Sequence, residues 1–119
     1  MDVKIIKAVS EWQTFTLQTP DLGFNLEIKL KVKPNDPLAS ADHNEERTSG
    51  QMSEYVRKCV LDSVVDWDLT TEGQPLPVTQ ENKDKYLKPL LGILIKDEVR
   101  CFGISVLEFA RDWSNFLKN

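Results

Sequence analysis

Residues 24 to 33 alternate without a fault, and this most constrains what the chain can fold into. Phe24, Leu26, Ile28, Leu30 and Val32 share one face; Asn25, Glu27, Lys29, Lys31 and Lys33 share the other. A period of two over this length reads as a half-buried antiparallel strand, which needs a partner and something to cover its apolar face. The partner is expected upstream. Trp12-Gln13-Thr14-Phe15-Thr16-Leu17-Gln18 is rich in aromatic and β-branched residues, and Pro20-Asp21-Leu22-Gly23 supplies turn chemistry between the two runs. Val3 to Val9 is a candidate third strand, and a third strand matters because a lone hairpin is marginal in water.

The cover is expected downstream. Pro34 stops the long strand, and the stretch to Gly50 is polar enough to read as a flexible connector. Thr48-Ser49-Gly50-Gln51 has the form of a capping box, and Met52, Val56, Cys59, Val60 and Ser63 follow at helical spacing with Tyr55 beside them. Val64, Val65, Trp67 and Leu69 continue the apolar surface into a turn that Gly73, Pro75 and Pro77 keep irregular. Thr79 is a good N-cap for a following helix, which Pro89 should break or kink near Leu87-Lys88; Leu90 to Ile95 reads as a short buried helix or turn. From Asp97 onward Val99, Phe102, Val106, Phe109, Trp113 and Phe116 recur every three or four residues, an amphipathic helix whose apolar arc Ile104 and Leu107 widen. The fold class is therefore α+β, an N-terminal antiparallel hairpin or three-stranded sheet followed by a helical half, packed into one core. We read residues 1–119 as a single domain: a β-rich part at 1–33, the connector at 34–50 and a helical part at 51–119.

Composition narrows the function classes. The 119 residues carry a net charge of -4, which disfavours duplex nucleic acid as a partner, because phosphate binding needs clustered positive charge. Met1-Asp2-Val3-Lys4 does not begin a signal peptide, and the apolar run at Leu90–Ile95 is too short to span a bilayer, so no membrane partner is expected. Cys59 and Cys101 have no short-spaced Cys/His framework around them and read as small apolar core residues in a cytosolic protein.

Chemistry-bearing constellations are few. Asp66 and Asp68 flank Trp67, and alternate carboxylates can hold a divalent cation, the basis for a metal-dependent hydrolase reading. The simpler expectation is a buried indole in a turn where Asp66 or Asp68 accepts backbone hydrogen bonds. His43, the only histidine, lies in the polar connector without a nucleophile near it in sequence. Phosphate loops, dinucleotide fingerprints and zinc motifs are absent, so no catalytic residue, metal ligand or cofactor is assigned. Lys29, Lys31 and Lys33 project together from one strand face, either as a docking surface or as a solvated face that discourages edge aggregation. Trp67 and Trp113 are expected to meet in one helical core.

Val65-Asp66-Trp67-Asp68-Leu69, followed by Gly73-Gln74-Pro75-Leu76-Pro77-Val78-Thr79 and a polar helix start, resembles a block found in tail assembly chaperones of long-tailed siphophages and their prophages. The W-x-x-F-x-L run in the hairpin and the aromatic-rich end with Phe109 and Trp113 are similar too. The resemblance covers residues 60 to 82 best and carries over no active-site residue. It implies a non-catalytic protein of the bacterial host cytoplasm, not retained in the mature virion. Its partners would be the tape measure protein and the tail tube protein, with self-association and a frameshift-extended form as further expectations. The contact surface would be Lys29, Lys31 and Lys33 or the arc containing Ile104 and Leu107. The alternatives are a minor tail-associated virion protein and the hydrolase reading.

Overall fold

A computed structural model describes residues 9–19, 26–35 and 52–117 of the chain. The fold is α+β, a three-stranded antiparallel sheet covered on one face by helices. Strand β1 (Gln13–Leu17) pairs with β2 (Leu26–Val32) in the hairpin register that the alternation predicts, with Phe15 opposite Ile28. Ile28, Leu30 and Val32 are buried, whereas Glu27, Lys29 and Lys33 are exposed. The candidate strand at Val3–Ala8, the turn at Pro20–Gly23 and nearly all of the connector lie outside the described residues.

The third strand of the sheet comes from the other side of the connector. Helix α1 (Glu54–Ser63) runs directly into β3 (Val64–Trp67), which pairs antiparallel with β2 and leaves β2 in the centre. Sequence reading had carried the helix's apolar surface through Val64 and Val65 into a turn; the structure corrects this to a strand. Two local causes are visible. Ser63 turns its hydroxyl back onto the carbonyls of Cys59 (2.7 Å) and Val60 (3.0 Å), occupying acceptors at the helix end. The adjacent β-branched pair Val64-Val65 favours extended backbone, and the open edge of β2 offers it hydrogen bonds. The register slips by one residue between Lys31 and Val32, a bulge that lets both Val64 and Trp67 face the core. The helix itself starts at Ser53, whose hydroxyl accepts from Val56 N–H; Thr48–Gln51 lie outside the described residues.

The segment expected to be irregular also forms a hairpin. Strands β4 (Thr70–Thr71) and β5 (Gln74–Pro75) are joined by Glu72 and Gly73, both with positive φ (51° and 78°). That pair of angles makes a type I′ turn, whose twist suits a two-residue hairpin; Gly73 adopts it without cost and Glu72 does not. Pro75 is tolerated because the closing bond runs from Leu76 N–H to Leu69 C=O.

Thr79 caps the next helical segment, its hydroxyl accepting from Asn82 N–H. That segment begins as α (Gln80–Asn82), widens to π (Lys83–Leu87) and tightens to 3-10 (Lys88–Leu90) as it meets Pro89, the disruption that the proline predicts. Helix α2 (Phe102–Arg111) starts five residues later than the periodicity implied. Asp97 has a φ of 63° and reverses the chain, so that Ile95 N–H donates to Arg100 C=O and Leu94 bridges Cys101. Val99, expected on the apolar face of a helix, is 70% exposed at the tip of this reversal. Phe102, Ile104, Val106, Leu107 and Ala110 are fully buried against α1 and the sheet, and a Cβ on Gly103 would press on the end of the Met52 side chain at 2.8 Å.

Candidate functional site

The Trp67 corner is closed and internally satisfied. The indole is 5% exposed, and its N–H donates to Leu76 C=O at 2.7 Å, tying β3 to the residue after the β4–β5 hairpin. Asp68 extends the ladder beyond β3. Its N–H donates to Lys29 C=O at 3.2 Å, and its carboxylate accepts from Lys29 N–H at 3.0 Å. Asp66 accepts from Trp67 N–H at 2.9 Å and stands opposite Lys31. Both carboxylates thus take backbone hydrogen bonds, as a structural turn requires. Among the described residues no group of three or more His, Cys, Asp or Glu converges; His43 lies outside them.

The lysines are distributed on the solvent face of β2. Lys29 and Lys33 are exposed, while Lys31 lies over the ring of Trp12, 4.9 Å from its centroid, a cation–π contact that holds both side chains on the sheet. Lys83, on the segment after Thr79, is close enough to Asp62 and Lys33 to feel both charges. Burial lowers its pKa; nearby Asp62 opposes that fall and Lys33 adds to it.

Two expectations, one about the contact surface and one about the core, are corrected. Ile104 and Leu107 are completely buried, so neither can touch a partner; their helix is enclosed on most sides and its wide apolar arc is used up by the protein's own core. Trp113 does not meet Trp67. It lies past α2 in a 3-10 turn (Trp113–Phe116), is 42% exposed, and donates its indole N–H to Asn35 C=O at 2.7 Å. Phe116 takes the core position instead, edge-on to Phe109 at 5.7 Å.

The remaining open surface of α2 faces a groove of about 710 Å³ between that helix and β1. Ser105, Glu108, Phe109 and Asp112 line it at helical spacing, and Thr14, Phe15 and Thr16 line it from the strand. Arg100 stands at one end and bridges two carboxylates, Glu98 and Glu108 (2.8 Å to the latter), which together raise its pKa above the ordinary arginine value. Ser105 Oγ is buried without a hydrogen-bond partner among the described residues. Sequence reading placed a contact surface on this helix but on its other face, at Ile104 and Leu107. Ser105, Glu108 and Asp112 look like the solvated side of an amphipathic helix, and only the return of the chain past β1 brings them opposite Thr14 and Thr16.

Comparison with known proteins adds no assignment: no family model, no curated protein and no solved structure matches the chain. Among the described residues no helix is long and apolar enough to cross a membrane.

Proposed function

We propose that the chain works by contact rather than by catalysis, as a tail assembly chaperone of the siphophage type that holds the tape measure protein while tail tube subunits assemble around it in the host cytoplasm. The block from Val65 to Thr79 supports the family reading, and its residues act as scaffold, which fits a motif that carries no chemistry. The observation that carries the binding role is the groove between β1 and α2: it combines apolar walls at Phe15 and Phe109 with backbone groups of Thr14 and Thr16 that have no partner among the described residues. A holding protein needs such a surface and no reactive centre.

Co-expression with the product of a neighbouring, very long, helix-rich gene tests this directly. The expected result is a soluble complex recovered by pull-down; a long product that stays insoluble and unbound would refute the reading. Mass spectrometry of purified particles separates a chaperone, missing from the mature virion, from a minor tail component, which would be present.

A further inference from the structure

The groove exposes a strand edge. Thr16 C=O accepts from Lys96 N–H, and Gln18 N–H donates to Leu94 C=O at 2.8 Å, so the even-numbered residues of β1 direct their backbone groups away from β2. The segment Leu94–Lys96 covers that edge only at its Leu17 end, where Leu17 bridges Ile95. At Asp97 the positive φ turns the chain away. Beyond that point, among the described residues, Thr16 N–H and both backbone groups of Thr14 have no partner. Protein edges are commonly blunted by proline, by a bulge or by a covering element. Among the described residues Gln13–Phe15 has none of these, and it lines the groove together with Thr16.

We propose that this edge receives an extended segment of a partner protein, added as a strand in line with Leu94–Lys96, with a basic side chain opposite Phe15. Three features fix the occupant. Unmet backbone donors and acceptors on an edge are answered by extended backbone, whereas a helix has already used its own. The edge is set in a groove with α2 as the far wall, so a single free strand reaches it and the equally recessed β1 of a second copy does not. Phe15 points towards the helices, its ring 5.3 Å from that of Phe102, so the residue opposite it enters the groove beside Phe109. Around that position Glu98, Glu108 and Asp112 outnumber Lys96 and Arg100, and Arg100 is already held by Glu98 and Glu108. A lysine or arginine would lay its stem on Phe15 and Phe109 and bring its charge to Asp112.

This inference rests on the groove and does not depend on the tail-assembly reading. Selection from a random peptide library against the full-length chain tests it, followed by titration of the selected peptides as labelled synthetic probes. Selected peptides should alternate β-forming residues around Lys or Arg, and binding should protect the Thr14 and Thr16 amides from hydrogen exchange. Thr14→Pro removes an outward N–H without touching the β2 ladder and should weaken binding roughly tenfold, the effect of one lost hydrogen bond. Asp112→Asn keeps the oxygen that caps the Trp113–Phe116 turn and should weaken basic peptides selectively. Acidic or helical selected sequences, an empty selection, or equal binding by folded Thr14→Pro would each overturn the proposal. So would sedimentation showing a dimer of the wild-type chain that Thr14→Pro dissolves, because the occupant would then be a second copy.

Discussion

The sheet has two flanks with opposite characters. At the β3 flank, the Trp67 indole N–H is sealed against Leu76 C=O, and the Asp66 and Asp68 carboxylates both accept backbone N–H bonds. At the β1 flank, among the described residues, Thr16 N–H and both backbone groups of Thr14 have no partner. The difference teaches where stability and recognition reside. Satisfied polar groups around a buried aromatic hold a corner rigid. Backbone groups on an edge beside an open groove stay hydrated at little cost and can be answered by an incoming strand. The more conspicuous sequence block therefore lies on the flank that supports the fold, and the quieter β1 segment lies on the flank that is open to a partner.

Substitutions can break this contrast or sharpen it. The largest effect is expected at Trp67: Trp67→Ala should cost about 3–5 kcal/mol in denaturant unfolding, from lost burial and the cavity left behind. Trp67→Phe should cost about 1–3 kcal/mol, because Leu76 C=O keeps its burial and loses its donor. A melt unchanged by Trp67→Ala would mean that the corner is not closed in solution. Asp68→Ala removes the acceptor for Lys29 N–H and should cost about 1 kcal/mol, read from the same unfolding curves.

The combined change Lys29→Glu, Lys31→Glu, Lys33→Glu should leave far-UV circular dichroism intact and lower stability by about 1 kcal/mol, since it sets a carboxylate opposite Asp66 and ends the contact with Trp12. Global unfolding would show that these residues do more than coat a solvent face. Lys83 gives a pH test. Its pKa is lowered in the fold, so between that value and 10.5 the unfolded chain binds more protons and stability rises with pH. Lys83→Met should remove that rise in melts taken across the alkaline range. On the open flank Thr14→Pro should shift the melting temperature least of all, because the lost N–H has no bond in the folded chain.

Much of the fold was legible before any coordinates. The alternation at Leu26–Val32 gave strand, face and hairpin partner, because a one-residue slip would turn every apolar side chain to solvent. Thr79 and Pro89 marked a helix start and its disruption through chemistry local to each residue. Trp67 was legible as a buried indole, but not as the last residue of a strand. Long-range choices were not. Val64–Trp67 has no preference strong enough to separate a helix end from a strand, and the unpaired edge of β2 decided it. The turn at Asp97 shortened a helix that hydrophobic spacing alone would have extended.

The sequence by itself determined which residues had to leave water, and with them the α+β class, the hairpin and the amphipathic helix, because periodicity acts between near neighbours. Only the tertiary structure decided which side of that helix stayed open. Ile104 and Leu107 were drawn into the core, while Ser105, Glu108, Phe109 and Asp112 were left lining a groove opposite β1. Burial is shared among all the elements at once, so no single segment records which of its faces the others will need.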